Sequence, residues 1–384
     1  MVTDYYSSLF TSSSPVGIED VVQFTKSVVT AKMNSNLIRS FSREEVELAL
    51  KQMAPLKAPG PHGMPPIFFQ KFWNTVGDDV VEAVLSCLNS RTSLPGLNHT
   101  FISLIPKVKS PEYVTEFWPI ALCNILYKLV SKVLANRLKK VLPHIILDFQ
   151  SAFQSDKAIS DNILVAFELL HHMKRRKSRK TGHMALKLDM SKAYDRLEWI
   201  FLQRMEKMGF HPRWVGWIIE CIKSVTYSVL INGEPKGHIV PTRGIRQRDP
   251  LSPYLFLLCS EGLNGLIEQA VNERHIEGFS LCKYGPKISH IFFADDSLLF
   301  CRAWVEDVLK IQEILGKYEV ASGQKINSEK TTIFFSKNVL MSAKEQVKNL
   351  LGVLEIREYE KCLGFPVVVG RNKRASLNYI KDRV

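Results

Sequence analysis

Alternating apolar and polar residues predict a set of strands along the chain. His183 to Leu188 alternates well enough for a strand, and Phe101 to Lys107 reads as another that ends in a lysine. Val225 to Ile231 and Gly237 to Val240 flank Asn232-Gly233, a dipeptide that favours the tight turn of a hairpin. We expect a further strand at Thr332 to Phe335.

Helical periodicity fills much of the sequence between these strands. Ser42 to Glu45 forms a capping box, which predicts a helix through Leu50. Asn124 to Lys140 has the pattern of an amphipathic helix, with Lys128, Lys132 and Arg137 on its outward face. Residues 190–196, 254–270 and 305–318 also read as helical. This mixture of strands and helices predicts an α+β fold.

Two adjacent carboxylates interrupt an otherwise apolar stretch. Ile291 to Phe293 and Leu298 to Phe300 read as two strands, and Asp295, Asp296 and Ser297 between them read as a tight turn. Like charges so close are tolerated only when they are solvated or neutralised by a cation. Hard oxygen ligands of this kind suit Mg²⁺, whereas a solvated turn is the simpler alternative.

A third carboxylate, Asp189, favours the metal-binding alternative. Asp189 ends the strand from His183 to Leu188, so it could lie beside the tip of the hairpin. Three carboxylates there could hold two divalent ions, which in other enzymes stabilise the attacking and leaving oxygens of an in-line phosphoryl displacement. The chemistry that this pattern indicates is nucleotidyl transfer.

The composition is typical of a globular protein inside a cell. The chain has 384 residues, of which 46% are hydrophobic and 23% are charged, so one large domain or two ordinary ones are expected. No apolar run approaches the ~20 residues of a membrane helix, so no membrane partner is expected, and the N-terminus lacks the pattern of a secretory signal. The seven cysteines show no zinc-ligand spacing. We therefore expect reduced thiols and a nuclear or cytoplasmic location.

The charge balance favours a polyanionic partner. Lysine and arginine total 51 against 38 acidic residues, which gives a net charge of +13. Such a surplus can serve solubility alone, but together with a carboxylate metal site it indicates nucleic acid. The basic run from Lys174 to Lys180 could be a nuclear localisation signal, a nucleic-acid contact or a solvated loop.

Ordered sequence blocks carry a resemblance to a known family. LKLDMSKAYD (Leu186 to Asp195), RGIRQRDPLSPYLF (Arg243 to Phe256) and FFADDSLLF (Phe292 to Phe300) resemble motifs A, B and C of reverse transcriptases. More narrowly, they resemble the reverse transcriptases of plant LINE-type, non-LTR retrotransposons. KAPGPHGMPP, beginning at Lys57, and the block from Trp118 to Lys139 extend the likeness over nearly the whole chain.

The resemblance implies a fold and a division of the chain. The fold would be the α+β right hand of polymerases, with fingers and palm, and an antiparallel palm sheet backed by helices. Residues 1–40 would be an N-terminal lead-in segment to the domain. Residues 41–180 would form the fingers and the fingers/palm junction, and residues 181–370 would form the palm with motifs A to E. Residues 371–384 would begin a truncated thumb connection, so the thumb would be largely absent.

The resemblance also implies a reaction and its partners. The chain would add deoxynucleoside triphosphates to the 3′-OH of a DNA primer on an RNA template. Asp189 and Asp295 would bind two Mg²⁺ ions, for which Mn²⁺ could substitute, and Asp296 would support the site electrostatically. The oligomeric state is not predicted.

Further site residues are implied in the same way. The nucleotide pocket would include a set of polar residues and one aromatic residue: Lys107, Tyr194, Gln247, Arg248, Lys325 and Lys330. Nucleic acid would contact basic side chains: Lys128, Lys132, Arg137, Lys157, Arg243 and Arg246. Lys107 could instead be an ordinary surface lysine, and Tyr194 could simply be a packed aromatic residue.

Departures from the family pattern leave the activity open. Trp118 stands where the family has an arginine that reaches the triphosphate, and Arg248 stands where the family has glycine. Ser155-Asp156-Lys157 replaces a Pro-Gly-Arg turn, and Cys362 replaces a usual tyrosine. An inactive fragment that keeps the fold and weak nucleic-acid binding is therefore the alternative hypothesis. A two-metal nuclease is the third hypothesis, although such an enzyme would need neither Tyr194 nor motif B.

Overall fold

Two β-sheets and the helices around them make up the described part of the chain. The computed structural model describes residues 1–89, 96–146, 149–153, 159–175, 182–282 and 284–355, together with the short strands at 361–362 and 365–366. Its α+β character agrees with the prediction from the pattern of apolar residues. Within these ranges, no helix is both long enough and apolar enough to cross a membrane.

The larger sheet contains the strands that carry the predicted catalytic residues. Its order is β6-β7-β3-β8-β9, formed by β3 (His183–Leu188), β6 (His290–Phe293), β7 (Asp296–Arg302), β8 (Thr332–Phe335) and β9 (Leu354–Glu355). The predicted strand bounds of β3 and β8 are confirmed to the residue. Pairing is antiparallel from β6 to β8, but β9 pairs parallel to β8, so the expectation of a wholly antiparallel sheet was wrong at that edge.

The smaller sheet combines strands from distant parts of the sequence. Its order is β2-β1-β4-β5, formed by β1 (His99–Pro106), β2 (Phe117–Cys123), β4 (Thr226–Ile231) and β5 (Glu234–Ile239). β1 pairs antiparallel to β2 but parallel to β4. The predicted hairpin turn at Asn232-Gly233 is confirmed, and both residues have the positive φ that a type I′ turn requires, 52° and 83°.

Helices cover both sheets and supply most of the core. They are α1 (Val2–Leu9), α2 (Ile18–Val22), α3 (Ala31–Ile38), α4 (Arg43–Lys51), α5 (Pro66–Lys71), α6 (Trp73–Asn89), α7 (Ile125–Val141), α8 (Ile159–Arg175), α9 (Trp199–Gln203), α10 (Pro212–Lys223), α11 (Ser252–Asn272), α12 (Val305–Ser322) and α13 (Met341–Leu351). Short 3₁₀ turns lie at Val114–Glu116, Leu142–His144 and Arg204–Met208, and the strand pair β10 (Lys361–Cys362) and β11 (Phe365–Pro366) follows β9.

The two faces of β3 pack against different helices because side chains alternate along a strand. Met184, Leu186 and Leu188 belong to the large core, which also contains buried residues of α7, α10 and α11. Ala185 belongs to a smaller cluster with Phe300 of β7 and buried residues of α8. The larger sheet is therefore covered on both faces, and β3 is held at its centre.

The N-terminal segment belongs to the fold. Tyr6 and Phe10 pack in a third cluster with Tyr227 and Val229 of β4. The main-chain oxygen of Phe10 accepts hydrogen bonds from the N–H groups of Thr242 (2.8 Å) and the next residue. The start of the chain thereby braces the smaller sheet.

One predicted helix is absent. Residues 190–196 form a series of turns, and the N–H groups of Asp195 and Arg196 both donate to the main-chain oxygen of Lys192, at 3.0 and 3.1 Å. Lys192 itself has a φ of +54°, which no α-helix allows.

Candidate active site

The hairpin of β6 and β7 brings two of the predicted carboxylates to one end of the larger sheet. Phe293 pairs with Asp296, so the turn consists of Ala294 and Asp295, and Asp296 is the first residue of β7. The predicted turn was therefore displaced by one to two residues. Ala294 has a φ of +52°, as the first residue of a primed hairpin turn requires.

The register of β3 places the third carboxylate beside them. Leu188, the last residue of β3, pairs with Ser297 of β7. Asp189 follows Leu188 and Asp296 precedes Ser297, so these two aspartates are neighbours across the strand ends. Asp189, Asp295 and Asp296 therefore lie together at one end of the strands β3 and β7, as the sequence predicts.

The carboxylates influence one another electrostatically. Partial desolvation raises the pKa of Asp295 above its ordinary value, and the charge of Asp189 raises that pKa further. The pKa of Asp296 is raised by desolvation and by both other aspartates, while Lys187 opposes the shift. Concentrated negative charge at the end of a sheet is suited to binding a cation.

The donor chemistry fits Mg²⁺, which proteins commonly bind through one or two carboxylates, with water and substrate phosphates completing the shell. Among the described residues, however, no three His, Cys, Asp or Glu side chains converge closely enough to hold a metal ion by themselves. Carboxylates of the cluster would therefore share an ion with water and substrate.

Main-chain bonds fix the loop that carries Asp189. The main-chain oxygen of Asp189 accepts from the N–H of Asn327 at 2.8 Å, and Ser191 N–H donates to the oxygen of Lys325 at 2.7 Å. The predicted nucleotide-binding lysines lie on this adjoining segment: Lys325 is exposed and pairs with Glu319 at 3.4 Å, and Lys330 is exposed.

Gln150 supports the hairpin turn and was not predicted as a site residue. Its Oε1 accepts hydrogen bonds from the N–H groups of Ala294 (3.2 Å) and Ala152 (2.9 Å). Gln150 lies in QSAF, a short polar block whose role cannot be derived from periodicity. The side chain thus fixes the strained residue that precedes Asp295.

The predicted nucleotide pocket has a fixed inner wall. The ring of Tyr194 stacks on Phe256, with centroids 5.3 Å apart and planes within 5°. Burial raises the pKa of Tyr194, and the charge of Asp295 raises it further. Tyr194 is thus both a packed aromatic residue and a neighbour of the carboxylate cluster.

Asp195 positions Gln247 and was also missed by the sequence reasoning. Gln247 Nε2 donates to the two carboxylate oxygens of Asp195 at 3.2 and 3.4 Å. Asp195 is only 2% exposed, and this burial raises its pKa to about 6, against the lowering effect of Lys192 and of the Gln247 hydrogen bond. The available signal was its place in LKLDMSKAYD, six residues after Asp189.

Two of the departures noted in the sequence, Arg248 and Trp118, lie at exposed positions. Arg248 is exposed and has a φ of +65°, a backbone conformation that favours glycine. Trp118 is 50% exposed on β2, where it pairs with Ile105. Lys107, close to Trp118, donates from Nζ to the main-chain oxygen of Thr115 at 2.7 Å.

The predicted outward face of α7 was wrong for Lys128 and Arg137, because the core surrounds this helix on most sides. Lys128 is 3% exposed and donates to the main-chain oxygen of Ala58 at 3.3 Å. Arg137 is 4% exposed, and its guanidinium donates to both carboxylate oxygens of Glu45 at 2.7 and 2.8 Å. It also donates to the main-chain oxygens of residues 37, 39 and 40. Lys132 is half-buried, and burial lowers its pKa.

Arg243 and Arg246 are likewise directed inward, which argues against their predicted contact with nucleic acid. Arg243 donates from Nε to the main-chain oxygen of Leu9 at 2.9 Å and pairs with Glu198 at 3.5 Å. Arg246 lies 3.7 Å from the ring centroid of Tyr127 and pairs with Asp249 at 3.4 Å. The remaining predicted nucleic-acid contact, Lys157, lies outside the described residues.

Comparison with known proteins agrees with the resemblance seen in the sequence. A family model described as "Reverse transcriptase (RNA-dependent DNA polymerase)" matches residues 105–358. The chain is 30% identical over 334 residues to the transposon TX1 uncharacterized 149 kDa protein of Xenopus laevis. It is 25% identical over 340 residues to the Pol polyprotein from the type-2 retrotransposable element R2DM of Drosophila melanogaster.

These matches cover most of this chain and a minor part of each relative. They span 85% and 86% of this chain, but only 24% of the Xenopus protein and 29% of the Drosophila protein. A shorter match, 48% identical over 68 residues, covers 18% of this chain and 56% of an uncharacterized mitochondrial protein of Arabidopsis thaliana.

Proposed function

This chain belongs to the reverse transcriptase family, and from that premise we propose that it is an RNA-directed DNA polymerase, which adds deoxynucleotides to a primer 3′-OH on an RNA template. The observation that carries the proposal is the strand register, which brings Asp189, Asp295 and Asp296 together at one end of the strands β3 and β7. The larger sheet would be the palm, and the smaller sheet with its helices would belong to the fingers. The four-part division at residues 40, 180 and 370 stays a prediction.

The side chains of the site suggest a division of labour. Asp189 and Asp295 would hold Mg²⁺, which when bound stabilises the negative charge that develops on a transferring phosphoryl group. Tyr194, fixed against Phe256, would wall the sugar pocket and disfavour a 2′-OH. Gln247, held by Asp195, would line the pocket beside the nascent base pair.

The origin that we propose is a non-LTR retrotransposon, on the basis of the TX1 and R2 relatives. A plant source would be consistent with the short Arabidopsis match. The comparisons do not favour the inactive-fragment alternative over the polymerase. Arg248 and Trp118 depart from the family pattern at exposed positions. Measuring the rate of primer extension by this chain therefore tests the inactive-fragment alternative directly.

Primer extension with oligo-dT on poly-rA in Mg²⁺ tests the proposal. We expect the natural chain to extend the primer, and Asp295→Asn to reduce extension at least about a hundredfold, because an electrostatic group at the reacting centre is lost. Asp79→Asn, an exposed change on α6, is the matched control and should leave extension unchanged.

A repaired chain separates the alternatives. Trp118→Arg with Arg248→Gly restores the family residues at these two of the departures. Extension by the repaired chain alone would support the inactive-fragment hypothesis for the natural chain. Extension by neither chain would overturn the proposed function.

A further inference from the structure

Two residues that precede α8 lie against β6 in the manner of an additional strand. They are Phe149 and Gln150, which we call the support segment. Gln150 forms a parallel bridge with Phe292 of β6, and the N–H of Phe292 donates to the main-chain oxygen of Phe149 at 2.8 Å. Gln150 also accepts from the N–H of Ala294, in the turn, at 3.2 Å. The support segment therefore contacts both the strand and the turn that lead to Asp295.

Asn162, on α8, joins the support segment to β6. Its Nδ2 donates to the main-chain oxygen of Phe149 at 3.1 Å and to that of Phe292 at 3.0 Å. A side-chain amide has two N–H donors, so one asparagine can bind two main chains at once. The side chain is only 9% exposed, so water competes little for these bonds. Asn162 thereby clamps two neighbouring main chains together, two residues before the turn.

The turn needs a restraint because two effects act to displace Asp295. Ala294 has a φ of +52°, which is costly for a residue that carries a Cβ. Desolvation raises the pKa of Asp295, and the charge of Asp189 raises it further, so the two carboxylates repel when both are ionised. The pairing of β6 with β7 ends at Phe293 and Asp296. That pairing therefore leaves the turn itself to be held from outside.

We propose that Asn162 is a positioning residue, which sets the place of Asp295 beside Asp189 through the support segment. Its bonds go to main-chain oxygens, so it acts through the support segment rather than on the reacting atoms. α8 is itself anchored on the larger sheet, since its Ala166 packs in one cluster with Phe300 of β7. The inference rests on the proposed polymerase function, to which it adds a residue that lies in none of motifs A, B and C.

Hydrogen exchange of the whole chain, followed by mass spectrometry, tests the clamp without catalysis. We expect Asn162→Leu to speed exchange in peptides that cover residues 290–297 at least about tenfold, because the N–H groups of Phe292 and Ala294 lose a fixed acceptor. Peptides that cover β4 and β5, in the smaller sheet, should exchange as in the natural chain.

Asn89→Leu is the matched control for these measurements. Asn89, at the end of α6, also makes two hydrogen bonds to a main chain, since it accepts from the N–H of Phe41 at 3.0 Å and donates to its oxygen at 3.3 Å. The change removes the same number of bonds from another part of the chain. It should leave exchange at residues 290–297 unchanged.

Steady-state primer extension with oligo-dT on poly-rA tests the positioning role. We expect Asn162→Leu to lower kcat at least about tenfold and to change the KM for dTTP less than about threefold, because a small displacement of a reacting group costs rate rather than ground-state binding. Asn89→Leu should change neither value. A parallel loss of kcat in the two Asn→Leu variants would indicate a general effect of stability and would overturn the positioning role.

The outcomes separate this inference from the proposed function. Unchanged exchange at residues 290–297 in Asn162→Leu would overturn the inference, whatever the result of primer extension. Faster exchange there with an unchanged kcat would also overturn it. Faster exchange in Asn162→Leu, when the natural chain extends no primer, would support the clamp and overturn the polymerase function.

A milder change carries the test if Asn162→Leu does not fold. Asn162→Ser keeps one hydroxyl donor, which can bind only one of the two main-chain oxygens at a time. We expect this variant to speed exchange at residues 290–297 and to lower kcat, each at least about threefold, with an unchanged KM for dTTP. Natural rates of exchange and extension in Asn162→Ser would contradict the inference.

Discussion

At the scale of single residues, Arg248 and Arg274 share a strained backbone but not a location. Both have a left-handed φ, 65° and 62°, and both are exposed, but only Arg248 lies in the block beside Gln247. Glycine adopts a left-handed φ with less strain than arginine does. Either Arg→Gly change should therefore raise the free energy of unfolding by about 1 kcal/mol. Urea unfolding would measure this gain.

The same pair separates strain from function. Arg248→Gly should also increase the rate of primer extension, because it opens the face that approaches the nucleotide, whereas Arg274→Gly should not. Equal effects of both changes on extension would mean that Arg248 acts through stability alone.

The buried carboxyl group of Asp195 predicts how the stability of the fold depends on pH. Its folded pKa of about 6 lies above its ordinary value of 3.8, so protonation of Asp195 favours the folded state. That contribution is fully present below about pH 3.8 and is lost as the pH rises through 6. Asp195→Asn should therefore gain stability relative to the natural chain by roughly 2–3 kcal/mol between pH 4 and pH 7.

Urea unfolding at a series of pH values would measure this difference. Asp79→Asn, which is exposed on α6, should show no such dependence on pH. A constant offset between Asp195→Asn and the natural chain across the range would contradict the raised pKa.

The positions of Asp189, Asp295 and Asp296 could be predicted because each lies at the end of an apolar strand, which periodicity detects. The buried arginines could not be predicted. Arg137 and Arg246 have the charge of surface residues, and only the packing of helices around them shows that they point inward.

At the scale of elements, Arg246 joins parts of the chain that share no sheet or helix. Its guanidinium donates to Asn98 just before β1, to Thr100 of β1 at 3.1 Å, and to the main-chain oxygen of Cys221 in α10 at 3.3 Å. It also lies over Tyr127 of α7 and pairs with Asp249. The residue therefore connects β1, α7 and α10.

Arg246→Met should destabilise the fold by about 3 kcal/mol, because it leaves the buried carboxylate of Asp249 without its cation and removes the hydrogen bonds to Asn98 and Thr100. Lys139→Met, on an exposed part of α7, is the control and should change the free energy of unfolding little. If Arg246→Met kept its stability but lost affinity for nucleic acid, the internal role described above would be wrong.

Local patterns predicted the elements better than their partners. The bounds of β3 and β8 and the hairpin at Asn232-Gly233 were correct, since each depends on residues adjacent in sequence. The parallel pairs of β1 with β4 and of β8 with β9 were not foreseen, because no local period encodes them. The turns after Asp189 were taken for a helix, since short apolar spacings do not reveal a left-handed residue.

At the scale of the whole molecule, the net charge of +13 predicts how the protein meets its substrate. Binding to a primer annealed to RNA should weaken steeply with salt, because each phosphate contact releases a counterion. We expect a slope of log affinity against log salt steeper than about −3, which corresponds to roughly four contacts. Asp295→Asn should leave that slope unchanged, and an affinity independent of salt would contradict an electrostatic footprint.

The parallel pairing of β1 with β4 has a consequence for how the protein is made. His99 and Thr226, which begin that pairing, are 127 residues apart. A ribosome must translate β3 and α10 before β1 obtains β4 as its second neighbour in the sheet. Until then the nascent chain would present an open strand edge, the kind of edge on which chains aggregate. Chains that terminate before β4 would therefore be expected to aggregate or to require chaperones.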